Sequence, residues 1–332
     1  MYMCKIASHP RPTILIVAIA AALSLGAAGC RKSNNGRSFS LVEVSSFGSN
    51  PGGLQMFKYV PPVSRSKAPL VVVMHGCTQS AQDFADHSGW PELADKMKFL
   101  LVFPQQPITN NFAKCFHWYR LSDSTRDSGE ALSIKQMVDR MKTDYEVAAD
   151  RVYVTGLSGG AAMTSVMLAT YPDIFAGGAI MAGVPYHCAT KLSESFACMR
   201  SAVEKTPAQW GDLVRHATGH HSSWPIVSIW QGTADHVIAP VTAREEMEQW
   251  TNVHGVSQTP STPDTVAGFP HQVFKTRDGK VVVEVYSVTN MGHGQAINPG
   301  TGAGQCGSAE AFFYDVGLCS AYQVSRFWGI ER

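Results

Sequence analysis

The sequence predicts an α/β fold, a mostly parallel sheet with helices on both faces. Three observations predict it. Apolar, β-branched runs bounded by Gly or Pro recur at 70–74, 99–103, 152–155, 179–182, 226–230 and 281–288. Helical stretches lie between them at 127–145, 161–170 and 241–250, the first placing Ala131, Ile134, Met137, Val138 and Met141 on one face. The strand runs are near-continuously apolar, as strands buried on both faces must be. The chain has 332 residues, of which 45% are hydrophobic and 16% charged, which excludes a disordered polypeptide. Lys plus Arg is 27 and Asp plus Glu is 26, without basic runs, which argues against a nucleic-acid partner.

In chain order, the first element is an address. Lys5, His9 and Arg11 precede an apolar run at 14–23, followed by small residues and Cys30. This reads as a secretory signal over residues 1–29, with an apolar run too short to cross a membrane. A Cys directly after small residues resembles a bacterial lipobox, although Ala27 stands where Leu is usual. The expectation is lipidation at Cys30, the only membrane attachment foreseen, at the bacterial cell envelope; plain secretion and an uncleaved anchor are the alternatives. Residues 30–40 are expected to be a tether and residues 41–332 a single catalytic domain. Residues 187–223 and 254–270 carry the weakest patterns and are expected to be loops or a cap over the sheet. Besides Cys4 and Cys30, six cysteines remain: Cys77, Cys115, Cys188, Cys198, Cys306 and Cys319. An even number in an exported chain, with no C-x-x-C spacing, implies three disulfides, and the residues alone leave their pairing open.

The chemistry begins at Gly156-Leu157-Ser158-Gly159-Gly160. This G-x-S-x-G follows the strand at 151–154 and precedes a small-residue helix, the context that an α/β-hydrolase nucleophile requires. An ordinary Ser in a Gly-rich turn is the plain alternative. A serine nucleophile needs a base, and the base needs an orienting acid, which in this fold follow in the order acid, then His. Asp235 lies in a Gly-rich turn after the strand at 226–230, where it would otherwise cap a turn. His293 follows the last strand, where the plain alternative is a surface loop His. The oxyanion hole needs backbone N–H groups aimed at the developing charge. Gly159 supplies one and Cys77, in Met74-His75-Gly76-Cys77, the other, with Thr78 in reserve. His75 reads as a loop-positioning side chain rather than a second base. Trp90, Phe116, Trp118 and Tyr119 are candidates for the acyl groove, against the alternative that they are core or rim packing. This chemistry requires neither a metal nor an organic cofactor.

Together these segments resemble the polyhydroxybutyrate depolymerase family of secreted α/β-hydrolase esterases. The resemblance is carried by MHGCTQSAQDFA at 74–85, VTGLSGGAAMTSVMLATYPDIFAGGAIMAG at 154–183, IWQGTADHVI at 229–238 and GQCGSAEAFFYDVGLCSAYQVSRFWGI at 304–330. It implies Ser158 as nucleophile, Asp235 as acid, His293 as base, and Cys77 and Gly159 as the oxyanion hole, with an ester or polyester as substrate. The family usually has Ala after the nucleophile; Gly159 stands there, and little effect is expected. The resemblance implies the pairs Cys77–Cys115, Cys188–Cys198 and Cys306–Cys319. Polymer-degrading members often append a linker and a binding domain, whereas this sequence stops at Arg332, so soluble oligoesters are expected to be better substrates than crystalline polymer. Carbohydrate-ester hydrolysis, as by feruloyl or acetylxylan esterases, is the competing activity, and a non-catalytic surface-binding protein is the third reading.

Overall fold

The structure is a computed structural model that describes residues 38–331, apart from 64, 202, 204 and 220–222. The expected leader 1–29, the lipidation site Cys30 and the tether as far as residue 37 lie outside the described residues. In chain order the main strands are β1 (Val42–Glu43), β2 (Gln55–Tyr59), β3 (Ala68–Met74), β4 (Leu100–Gln105), β5 (Val147–Leu157), β6 (Gly177–Met181), β7 (Ile226–Gly232), β8 (Thr262–Val266), β9 (Phe269–Lys275) and β10 (Val281–Val288). They form one sheet in the order β1-β2-β4-β3-β5-β6-β7-β10-β9-β8. The pairs from β4 through β10 are parallel. The outer pairs at both edges are antiparallel.

Alternation along β3 shows how the sheet is covered. Leu70, Val72 and Met74 join a core with residues of the helices Gly129–Asp144, Gly159–Thr170 and Val241–His254. Val71 and Val73 point to the other face, among residues of the helices Ala81–His87, Trp90–Met97 and Ser320–Phe327. A fully buried Val or Leu contributes roughly 1.5–3 kcal/mol, far more than an exposed ion pair, so burial on both faces holds this sheet. The helix Gly159–Thr170 is buried at every position. It is apolar all round because it packs on β3, β5 and β6 and also touches the helices Gly129–Asp144 and Pro207–Arg215.

Three expectations are corrected, and a fourth, at 187–223, is given its structure. The packed chain begins before residue 41: Phe39 is buried and its N–H donates to Asp86 Oδ1 at 2.8 Å. Residues 254–270 are only partly loop, because after the loop 255–261, β8 and the start of β9 extend the sheet there. Pro263 lies in β8, an edge strand, which tolerates a missing N–H. Residues 187–223 hold the helices Leu192–Arg200 and Pro207–Arg215, the second opened by a Thr206–Gln209 capping box. Trp90 does not line a groove. It is fully buried, stacked on Trp328 at 5.7 Å and edge-on to Phe99.

The disulfides are Cys77–Cys115, Cys188–Cys198 and Cys306–Cys319, the pairs the resemblance implies. Beyond β10, β11 (Gln295–Ile297) and β12 (Phe313–Asp315) pair in parallel, aligning Gln295 with Phe313.

Candidate active site

Ser158 sits where β5 turns into the helix Gly159–Thr170. Its φ is 57° and ψ −118°, a strained conformation for a residue with a Cβ. The turn is held by Ser158 N–H donating to Met181 O at 3.0 Å and by close backbone packing. A Cβ on Gly156 would lie 2.4 Å from the carbonyl carbon of Gly160. A Cβ on Gly160 would lie 2.5 Å from the carbonyl oxygens of both Met74 and His75. Only glycine lets the helix start this close to β3 and β5. The N–H groups of the helix's first turn have no intrahelical partner and are free to meet an anion.

One of those donors, at Gly159, borders one small space with the N–H of Cys77 in the loop after β3. A Cβ on Gly159 would lie 2.8 Å from Cys77 Sγ and 3.9 Å from Cys77 N. Gly159 is therefore not interchangeable with Ala without moving a disulfide sulfur, contrary to the sequence expectation of little effect. The reserve donor is committed elsewhere, because Thr78 N–H donates to Ala113 O at 2.7 Å. Gly76 N–H donates to Gln79 Oε1 at 2.9 Å. His75 is fully buried, with Nδ1 donating to Gly76 O at 2.8 Å and Nε2 accepting from Gln106 N–H at 3.1 Å. Burial pushes its pKa down to about 4, so it is neutral and shapes the loop. The Cys77–Cys115 bond ties this loop to the segment at 106–119. That segment rests on buried Glu130, whose carboxylate accepts from His117 Nδ1 and from the His117 backbone N–H, each at 2.7 Å.

Asp235 and His293 leave the C-terminal ends of β7 and β10, the same edge of the sheet as Ser158. Asp235 is buried. Its Oδ2 accepts from His293 Nδ1 at 2.8 Å and from Gln231 Nε2 at 3.1 Å. Its Oδ1 accepts from the N–H groups of Val237 and Ile238, each at 2.8 Å. Four donors hold the carboxylate, and the imidazole is left with Nε2 as its free acceptor. Ser158 Oγ has no hydrogen-bond partner among the described residues, so the Asp–His link is closed and the Ser–His link open. Such links are commonly loose without substrate.

The remaining aromatic candidates are only partly near this edge. Phe116 is fully buried under the loop after β3, its ring 5.0 Å from that of His75, with its backbone N 3.9 Å from the place of a Gly159 Cβ. Trp118 and Tyr119 are 6% and 7% exposed and stand edge-on to each other, so they are mainly packing. Sequence reasoning missed Gln231, whose amide helps orient Asp235, and Phe312, whose ring is edge-on to His293 at 6.2 Å. Gln231 is adjacent to the Asp turn and could have been noticed there. Nothing local marks Phe312.

The fold, the strained serine turn and the oriented Asp–His pair define a carboxylic-ester hydrolase of the α/β-hydrolase type. The family described as Esterase PHB depolymerase matches residues 54–265, and the chain belongs to it. Poly(3-hydroxyalkanoate) depolymerase C of Paucimonas lemoignei is 53% identical over 293 residues, covering 88% of this chain and 70% of that protein. An acetylxylan esterase of Coprinopsis cinerea is 36% identical over 263 residues, 76% of this chain and 69% of that one. Among solved structures, an acetyl xylan esterase from Aspergillus awamori superposes with a TM-score of 0.75 at 25% identity, covering 88% of this chain and 100% of that chain.

Proposed function

We propose that the chain is a serine esterase acting on poly- or oligo-(3-hydroxybutyrate)-type esters through an acyl-enzyme. The observation that carries the reading is the Asp235–His293 pair, oriented by three further donors to Asp235 at the sheet edge that also carries Ser158. In this reading His293 Nε2 takes the Ser158 proton as Oγ attacks the ester carbonyl. The N–H groups of Cys77 and Gly159 hold the tetrahedral oxyanion. His293 then protonates the leaving alcohol, and water repeats the cycle on the acyl-enzyme. Asp235 fixes the imidazole tautomer and stabilises its charged form. The 53% identity to a poly(3-hydroxyalkanoate) depolymerase favours the hydroxyalkanoate substrate over the sugar esters, whose named relatives reach 36%.

A panel of oligo-hydroxybutyrates beside feruloyl and acetyl sugars tests this. Wild-type protein should turn over the hydroxybutyrates fastest, and Ser158→Ala should lose at least a thousandfold on every ester while keeping its melting temperature. Retained turnover in Ser158→Ala rejects the nucleophile, and a preference for sugar esters rejects the substrate.

The three disulfides point to folding in an oxidising compartment. We further propose the finer address, a lipid anchor at Cys30 at the cell envelope, supported by the small residues before that cysteine. Several acyl chains bind a membrane firmly where one binds marginally. Cys30→Ser should release the protein from the membrane fraction, and an unmodified mature N-terminus by mass spectrometry rejects the anchor.

A further inference from the structure

Phe312 is a bulky residue with φ +70°, in the left-handed region that favours glycine. Its neighbour Phe313 accounts for the packing there: Phe313 is buried, with its ring 5.3 Å from Phe84 and 5.7 Å from His87. Phe312 is instead half-buried, and its ring is edge-on to His293 at 6.2 Å. The strained backbone is pinned, because Phe312 O accepts from Gln295 N–H at 2.8 Å, and Gln295 Nε2 donates to Ser88 O at 2.9 Å. A cleft of about 180 Å³ opens beside the ring, between Glu310–Phe313 on one side and Thr78, Gln79, Asp83 and His87 on the other. Thr78 directly follows the oxyanion donor Cys77. The cleft thus lies between Thr78, beside the proposed oxyanion donor, and Phe312, whose ring is the cleft's link to His293, the base that protonates the alcohol a serine esterase releases.

We propose that this cleft is the alcohol-side subsite, that Phe312 is its apolar wall, and that its occupant is an uncharged ester unit rather than a free carboxylate end. The inference rests on the esterase reading of Ser158 and His293. The volume is below that of a pocket for a drug-sized ligand and holds one small unit. An apolar wall suits a short aliphatic hydroxyacid chain. Asp83 and Glu310 are both exposed at the cleft and repel a terminal carboxylate. A backbone strain kept for a half-buried side chain is explained by a contact that only a bulky apolar side chain at this point supplies.

The test compares esters that share an acyl group and differ in alcohol: methyl 3-hydroxybutyrate, and the hydroxybutyrate trimer as methyl ester and as free acid. In wild-type protein the trimer methyl ester should exceed the free acid several-fold in kcat/KM. Phe312→Gly relieves the backbone and should leave the melting temperature equal or higher. It should raise KM for the trimer ester about tenfold, and leave methyl 3-hydroxybutyrate within about twofold. Phe312→Leu should recover most of the trimer KM. An equal loss of kcat on both esters, with a shifted pH profile, would show that the ring acts through His293 and overturns the subsite. An unchanged trimer KM in Phe312→Gly overturns it as well. If wild-type protein cleaves sugar esters instead, the same ratio is read on acetylated xylobiose against methyl acetate. Failure of the hydroxybutyrate reading is thereby separated from failure of the subsite, and wild-type protein inert to all these esters overturns both.

Discussion

The serine turn and the lip that carries Phe312 flank one site and are built in opposite ways. Around Ser158 the fit is backbone against backbone. Gly156 and Gly160 have carbonyl groups of neighbouring strands and of the helix itself where a Cβ would go. Around Phe312 the backbone is also tied, by the β11–β12 ribbon and by Phe312 O 2.4 Å from the place of a Gly294 Cβ, but the ring's surroundings are made by side chains and a covalent tie: the Cys306–Cys319 bond and the rings of Phe84, His87 and Phe313. Backbone contact leaves no room for substitution and fixes the reacting atom. Side-chain contact can be rebuilt residue by residue, which suits the part of a site that selects its substrate. The comparison predicts that damage to the turn is global and damage to the lip is local.

The largest effect is therefore expected at Gly160→Ala. A Cβ 2.5 Å from two carbonyl oxygens must displace β3 or the buried helix, at a cost of more than about 3 kcal/mol. The variant should lose most of its soluble yield or melt many degrees lower, which thermal unfolding reads directly. A melting temperature within about two degrees of wild type would break the contrast, since the turn would then be as adaptable as the lip.

Opening the lip should cost less. The Cys306–Cys319 bond closes a loop across a sequence separation of 13, and removing a native disulfide of this kind costs roughly 2–4 kcal/mol. Cys306→Ser with Cys319→Ser should lower the melting temperature and raise KM for long esters more than for methyl esters, because Phe312 lies inside that loop. Equal losses of kcat on both would show that the lip positions His293 and not only the substrate.

This division also explains what the sequence disclosed. The central strands and the serine turn were legible because burial on both faces leaves continuous apolar runs, and close backbone approach leaves glycines at fixed spacing. Asp235 and His293 were legible from their places after strands 226–230 and 281–288. The edge strands were not. β8 reads Thr-Pro-Asp-Thr-Val, with too few apolar residues to mark a strand, because an edge strand packs little. Phe312 was invisible because its significance lies in a backbone angle and in a histidine 19 residues earlier, and no local pattern encodes either. Trp90 was misplaced because a large aromatic signals burial before it signals a groove. It lies between Trp328 and Phe99, residues that only the folded chain brings together.

The smallest effect separates the two sides by their protons. Three histidines are held neutral. Burial first, opposed by hydrogen bonds to backbone, pushes His75, His187 and His254 each down to about 4. In the unfolded chain a histidine binds its proton near about 6.5. Below that value the unfolded state holds more protons than the native one, so stability is retained above about pH 6.5 and falls as pH drops toward 4. His271 has the opposite sign. Burial lowers its pKa, but Glu284 and Asp264, at 3.1 and 2.7 Å, raise it further than burial lowers it. Its contribution is present in full below the unfolded value and is lost as pH rises through the raised one. Among these histidines, three lose stability on acidification and one gains it. His75 belongs to the backbone-built side, where its ring bridges Gly76 O and Gln106 N–H. Replacing it with Gln removes one titrating group and should shrink the stability difference between pH 7 and pH 5.5 by about 1 kcal/mol, read from urea midpoints at the two pH values. An acid limb unchanged in His75→Gln would show that the loop after β3 opens to let its histidine protonate in the native state. The loop would then be the adaptable side of the site, and the contrast with the lip would fail.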